Sequence, residues 1–431
     1  MTDSIKRLRP SSLYFSLVFA GYLLTVLFPG FRTGLFAAAL MVAVFVEMGL
    51  KIIKSDKPSD FISLINISVL IYFIYNVFSF VWILMNGYPI SVFIEEFSNS
   101  VLPIVFYFAA VTLYKKDTEL IYRAFLYSFA VFSVACIVLY LWAPQFYCDY
   151  LFNMSYISKA DAATCRVRME GVTGSTIISY LGVAAMLVSS LFMYGAYDRS
   201  RNLAGTIVSM DGKNKGKINR EVLINGFLLL FSLAVVFLAN GRAGMVAAIL
   251  VIVYLNFLVF FTFKIADRKY FYIEVAVILA AVIGMCVLTP SIAAKIWARL
   301  VSLPGAIGQR SEQWVAAINN MKGQWFGNGL GANGHKAIHI EGAFAVPDGG
   351  LVKLYCEEGA IGFALFVYIM LVTFRNGIKN LKNCFCEIGI IASALLMSTG
   401  SNIIAFQLCM PVFWFAAGMV TVKCADAKEG K

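Results

Sequence analysis

Long apolar runs recur along the whole chain and are broken by short polar or glycine-containing turns, a pattern that predicts membrane-spanning helices instead of a soluble core. Twelve runs are read, at about 12–29, 33–50, 61–86, 98–114, 119–143, 174–197, 222–240, 244–263, 270–290, 349–374, 384–401 and 404–422. Two polar stretches between them are long, residues 144–173 and 291–348. A third, 198–221, is rich in glycine and charge and reads as a flexible linker. Within 291–348, the apolar residues Trp314, Ala317, Ile318 and Met321 recur at i, i+3, i+4 and i+7. That spacing predicts an amphipathic helix lying on the membrane surface, with Arg310 in its first turn. The expected fold class is therefore all-α, one polytopic integral membrane domain over residues 1–431 with about twelve transmembrane helices.

Composition narrows the class. The chain is 60% hydrophobic and 14% charged, where soluble domains carry roughly 25% charged residues. A large soluble catalytic domain, a disordered chain and a disulfide scaffold are all excluded. The N-terminal segment, the C-terminal segment and alternate loops carry most of the 35 Lys and Arg residues, including Lys51, Lys54, Lys115, Lys116, Arg199, Arg220, Lys264, Arg375 and Lys423. Short basic loops stay cytoplasmic, so both termini are expected inside, with 198–221, and the stretches 144–173 and 291–348 fall on the periplasmic side. The net charge of +11 is then a topology signal. It calls for membrane lipid as electrostatic partner and for no nucleic acid. A basic segment before the first span, with no small-residue cleavage site after it, reads as a signal anchor. Cys148 and Cys165 share an outer stretch, and a disulfide between them is left open.

The span interiors read as almost free of ionisable groups, which argues against a proton or ion relay. Several outer cations, Lys353 among them, run against the charge trend, and these carry the candidate chemistry. Arg242 sits at the tip of the tight hairpin Leu238-Ala239-Asn240-Gly241-Arg242-Ala243-Gly244. It is read either as a headgroup anchor or as a clamp for a lipid-linked phosphate, since a guanidinium binds phosphate oxygens bidentately and keeps its charge. Arg166 and Arg168 precede the helix at 174, with Glu170 as a ready salt-bridge partner; Arg299 and Arg310 lie in the long loop. The glycine-rich Phe326-Gly327-Asn328-Gly329-Leu330-Gly331 reads as a tight structural loop. His335 and His339, the only histidines, stand at i and i+4 without an obvious third ligand, so no metal is expected. Asp348 opens the next helix as an N-cap or a base, with Glu357-Glu358-Gly359-Ala360-Ile361-Gly362 two to three turns below.

At these residues the chain resembles the bacterial O-antigen polymerase and O-antigen ligase superfamily, best over residues 166–362, about half of its length. Arg168-Met169-Glu170-Gly171 resembles an external Arg-x-x-Gly before a helix, and the 238–244 hairpin resembles the family's Leu-Ser-x-Ser-Arg-Gly-Ala. The order Arg310, Phe326-Gly327-Asn328-Gly329, then Glu357, Gly359 and Gly362 resembles Arg, Phe-Gly-x-Gly and Glu-x-Gly-x-x-Gly. Asp348 and Gly349 stand where ligases carry histidine and asparagine, which favours a polymerase. The resemblance implies metal-independent, cofactor-free, inverting glycosyl transfer at the periplasmic face of the inner membrane. Donor and acceptor would be oligosaccharides on undecaprenyl pyrophosphate, and a chain-length regulator is an implied partner. Arg168, Arg242 and Arg310 would hold the pyrophosphate and Asp348 would take the acceptor's proton, with Arg166, Arg299, His335 and His339 as further candidates. A ligase and a transporter of lipid-linked oligosaccharide are the competing expectations.

Overall fold

The computed structural model describes residues 9–28, 30–54, 63–112, 115–142, 169, 172–205, 212–265, 303–334, 337, 340 and 342–429. Among these the regular structure is helical throughout. In chain order the helices are α1 (Pro10–Leu27), α2 (Thr33–Ile53), α3 (Leu64–Met85), α4 (Ile90–Glu96), α5 (Val105–Thr112), α6 (Lys115–Trp142), α7 (Ser175–Gly205), α8 (Gly212–Ala239), α9 (Arg242–Phe257), α10 (Leu303–Asn319), α11 (Gly350–Lys379), α12 (Leu381–Met397) and α13 (Cys409–Glu429). Nine candidate spans among the described residues are long and apolar enough to cross a membrane, and they match nine of the twelve expected spans in order; the expected spans at 384–401 and 404–422 fold as α12 and α13, which are not among the nine. The chain is a polytopic helical membrane protein. The expected span at 270–290 lies outside the described residues, as do Arg166, Arg168, Arg299, His335, His339, Cys148 and Cys165.

Sequence chemistry explains where helices start and bend. Pro10 opens α1, where its missing N–H is no loss, and the Ser63 hydroxyl caps α3 by accepting from Asn66 N at 3.2 Å. The span Ile90–Thr112 is not one regular helix. Pro103 cannot donate to the preceding turn, and the backbone there widens into a π turn at Phe97–Val101 followed by a 3-10 turn at Leu102–Ile104. The expected linker is helical at both described ends, because α7 continues to Gly205 and α8 begins at Gly212. Its polar residues extend helices that tertiary packing has already nucleated.

Burial sorts the helices into layers. The α13 stretch Cys409–Val420 is buried on every side, with Trp414 fully enclosed, as expected of a helix that is apolar all round. Around it pack α5, α12, α11 and the buried half of α7. Helices α1, α2, α3, α6, α8 and α9 turn large apolar side chains outward, among them Phe45, Ile71, Val131, Phe227 and Val253. Such a continuous exposed apolar surface is the mark of a lipid-facing belt.

Candidate functional site

The two ends of the bundle can be ordered by following α12. Tyr254 Oη of α9 donates to Phe385 O at 3.0 Å, and the Tyr194 ring of α7 lies 5.8 Å from the Phe385 ring. Along α7, Ser179 meets Gly244 of α9 and Tyr194 meets Phe263 beyond it, whereas Leu187 meets Gly389 and Tyr194 meets Phe385 of α12. Helices α9 and α12 are therefore antiparallel, and Arg242 and Met397 each lie twelve residues, about 18 Å at 1.5 Å per residue, from that level toward the same end. The Arg242 hairpin and the turn after Met397 therefore share one end of the bundle. Gly241 and Gly244 press on Ser179, which brings the start of α7 to the same end. Met169 N donates to Leu238 O at 2.9 Å, tying Met169 to this hairpin.

Arg310 and Asp348 meet at that end as well. Arg310 Nε and Nη2 both donate to Asp348 Oδ2, at 3.1 and 2.8 Å. The pair is half exposed, and Arg310 Nη1 lies against Gly400 in the turn after α12. Arg310 sits two turns inside α10 and not in its first turn, because the helix begins at Leu303. The amphipathic face is also narrower than expected: Ala317 is buried and Trp314 half-buried, while Ile318 points outward. Asp348 is not a helix cap. Gly349 holds that position with φ 122°, no side chain caps the helix, and the Trp314 indole donates to Asp348 O. Arg242 is exposed.

The larger departure from the sequence reading lies beneath this surface. The spans were expected to be almost free of ionisable groups, yet Glu96, Lys353, Glu357, Glu358 and Glu387 are all buried. Lys353, counted among the outer cations, is 3% exposed. Its ammonium contacts Glu96 Oε1 at 2.5 Å and Glu357 Oε2 at 3.5 Å. Glu357 Oε1 accepts from Asn333 N at 3.1 Å, and Glu358 Oε1 from Tyr72 Oη at 2.7 Å. At the other end of α12 the buried Glu387 pairs with Lys423 and accepts from Tyr122. Proximity to the ends of apolar runs hid these groups: helix packing, and not distance along the chain, decides how deep each lies.

Helix α11 is broken where the carboxylates sit. Gly359 has φ 66° and ψ −172°, a conformation open essentially to glycine alone. The freed backbone groups are satisfied by the glycine-rich loop. Asn328 N donates to Cys356 O, Gly329 N to Glu357 O, Ala360 N to Gln324 O and Ile361 N to Trp325 O, all at 2.8–3.1 Å. Non-helical backbone at membrane depth requires this kind of internal partner. The loop is close-fitting on its other sides too. A Cβ at Gly329 would stand 2.8 Å from Ile83 N, and one at Gly331 2.4 Å from Val92 O. What reads in sequence as a tight turn is a buried wedge between α3, α4 and α11.

The wedge walls a cavity of about 210 Å³ whose polar lining is Glu95, Glu96, Asn99, Lys353 and Asn402. No group of three or more potential metal-ligating side chains occurs among the described residues. Compared with protein-family models and with curated proteins, the chain matches none.

Proposed function

We propose that the protein is a polymerase of surface polysaccharide. It transfers a growing sugar chain from undecaprenyl pyrophosphate to a second lipid-linked oligosaccharide at the periplasmic face of the inner membrane. One observation carries the reading: segments separated in sequence, each resembling the polymerase and ligase superfamily, pack together. Met169 is bonded to the 238–244 hairpin, Arg310 to Asp348, and the 326–329 loop to the break at Glu357–Gly359. A diphosphate needs fixed cations at the lipid boundary, and Arg242 and Arg310 are guanidinium groups at one end of the bundle.

In this reaction the acceptor hydroxyl oxygen bonds to the anomeric carbon while the bond from that carbon to the diphosphate oxygen breaks. The leaving diphosphate keeps the electron pair, and the guanidinium groups stabilise its charge. The hydroxyl proton passes to Asp348, whose Oδ1 accepts no hydrogen bond among the described residues. Arg168, Arg166, Arg299, His335 and His339 remain candidates on the grounds given by the sequence.

The direct test is incubation of the purified protein with a synthetic undecaprenyl-diphosphate repeat unit. Products of two or more repeats are expected; unchanged substrate sinks the proposal. Asp348→Asn should abolish extension. Its ion pair is half exposed, so thermal stability should move by no more than about 1 kcal/mol. Arg242→Lys, which keeps charge but loses the fork, should shorten or remove the polysaccharide ladder at normal protein level. Full-length ladders in that variant would remove Arg242 from the site.

The buried charges and the interrupted helix also favour a second reading. Transporters mark their pathways with intramembrane ionisable groups and broken helices, and Glu96, Lys353, Glu357 and Gly359 are of this kind. Vesicles containing the purified protein that move labelled lipid-linked oligosaccharide without extending it would select the transporter.

A further inference from the structure

The approach to the glycine-rich wedge, residues 322–326, carries two large apolar side chains that helix packing leaves uncovered. Trp325 is 68% exposed and Phe326 47%. Their backbone is nevertheless fixed. Trp325 O accepts from Ile361 N at 3.1 Å and Gln324 O from Ala360 N at 2.9 Å, two donors that follow the break at Gly359.

Two helices set the level of this tip in the bundle. Helix α3 stops at Met85, and its end holds the tip: Lys322 Nζ donates to Asn86 O, the ammonium lies 4.5 Å from the centre of the Tyr88 ring, and the Phe326 ring is 5.1 Å from that of Trp82. Helix α11 runs for 30 residues, about 45 Å at 1.5 Å per residue. Only about 20 residues are needed to cross the hydrocarbon. Counting about 20 back from Lys379, at the opposite end of α11, reaches the break at Gly359 beside Trp325. The spans of α3 and α11 thus both end at the tip, on the side of the bundle where Arg310 meets Asp348.

The surrounding surface selects the partner. Phe78, Trp82 and Met85 share one face of α3 at i, i+4 and i+7. Phe78 and Met85 are exposed there, as is Ile361 on α11, and all three belong to the lipid-facing belt. Trp325 and Phe326 continue that belt through their contacts with Ile361 and Trp82. Aromatic rings at the edge of the hydrocarbon, with an ammonium beyond them, are the composition of a membrane-interface anchor. We infer that residues 322–326 anchor the wedge in the bilayer, with Trp325 and Phe326 among the upper acyl carbons and Lys322 facing lipid phosphate. Lipid that holds the tip also holds Gln324 O and Trp325 O against the helix break, so closure of α11 is coupled to the membrane. The inference goes beyond glycosyl transfer and does not depend on it.

Tryptophan fluorescence of the full-length protein in phosphatidylcholine nanodiscs tests the anchor. The acyl chains carry bromine either near the headgroup or near the chain end, and iodide is the quencher in water. The emission lost in Trp325→Phe is the signal of Trp325. Bromine near the headgroup should quench it at least twofold, bromine near the chain end less, and iodide should leave it unchanged. Trp325→Phe combined with Phe326→Trp moves the reporter by one residue and should give the same order. Quenching by iodide and not by brominated lipid would put the tip in water, and protection from all three would put protein over it; either result overturns the anchor. Limited proteolysis within 324–334 reads the coupling. Trp325→Ser combined with Phe326→Ser should speed cleavage in nanodiscs at least tenfold, and an unchanged rate overturns the link between lipid and the helix break.

Discussion

Lys353→Met is expected to destabilise the protein by about 3–5 kcal/mol, the cost of leaving buried carboxylates without their partner. The ammonium is enclosed, 2.5 Å from Glu96 and 3.5 Å from Glu357, and no water route is needed to explain their charge while it is present. Without it, two carboxylates share one buried site. Thermal denaturation of the purified protein in detergent measures the loss. Adding Glu96→Gln and Glu357→Gln to the same chain should recover most of it, because neutral amides need no counter-charge. A single Lys353→Met variant as stable as the parent would mean that the pair is not buried as described.

Gly359→Ala is expected to prevent docking of the glycine-rich loop. Two effects add. The φ of 66° with ψ of −172° costs a residue with a Cβ about 1–3 kcal/mol. That Cβ would also stand 2.4 Å from Gly327 N and 2.5 Å from Trp325 O, so the loop must withdraw from the helix break. Withdrawal strands the backbone groups of Cys356, Glu357, Ala360 and Ile361, each worth about 1 kcal/mol when paired. Gly342 supplies the control. Its φ is 77° but nothing lies within 4 Å of its would-be Cβ, so Gly342→Ala should cost only the conformational strain, about 1–2 kcal/mol. Limited proteolysis within 324–334, together with melting temperature, separates the two variants. Equal behaviour would mean that close approach at Gly359 does not matter.

Both results bear on how much of the site can be read without coordinates. The glycines of 327–331 are visible in sequence, and a tight loop is the natural reading. That the loop is a wedge completing a broken helix is not visible, because its partners, Ile83, Val92 and Gly359, come from three distant parts of the chain. Arg310 and Asp348 were legible as candidates from their chemistry. Their pairing was not, since 38 residues separate them and the turn through Gly349 decides that they meet. Asn402 and Glu96 were missed altogether. A carboxylate directly before an expected span looks like a boundary residue, and only the π turn at Phe97–Val101 and the start of the helix at Ile90 put Glu96 inside.

By itself the sequence determined the class of the molecule and the order of its spans, because the hydrocarbon core of a bilayer demands long apolar helices whatever their neighbours. Hydrophobicity is a property of each segment alone. Which polar groups face one another is a property of pairs, set by helix crossing, by the break at Gly359 and by the wedge that fills it. Lys353 shows the difference: read along the chain it is one more outer cation, and only packing against Glu96 and Glu357 makes it the buried centre of a charged cluster beside a polar cavity.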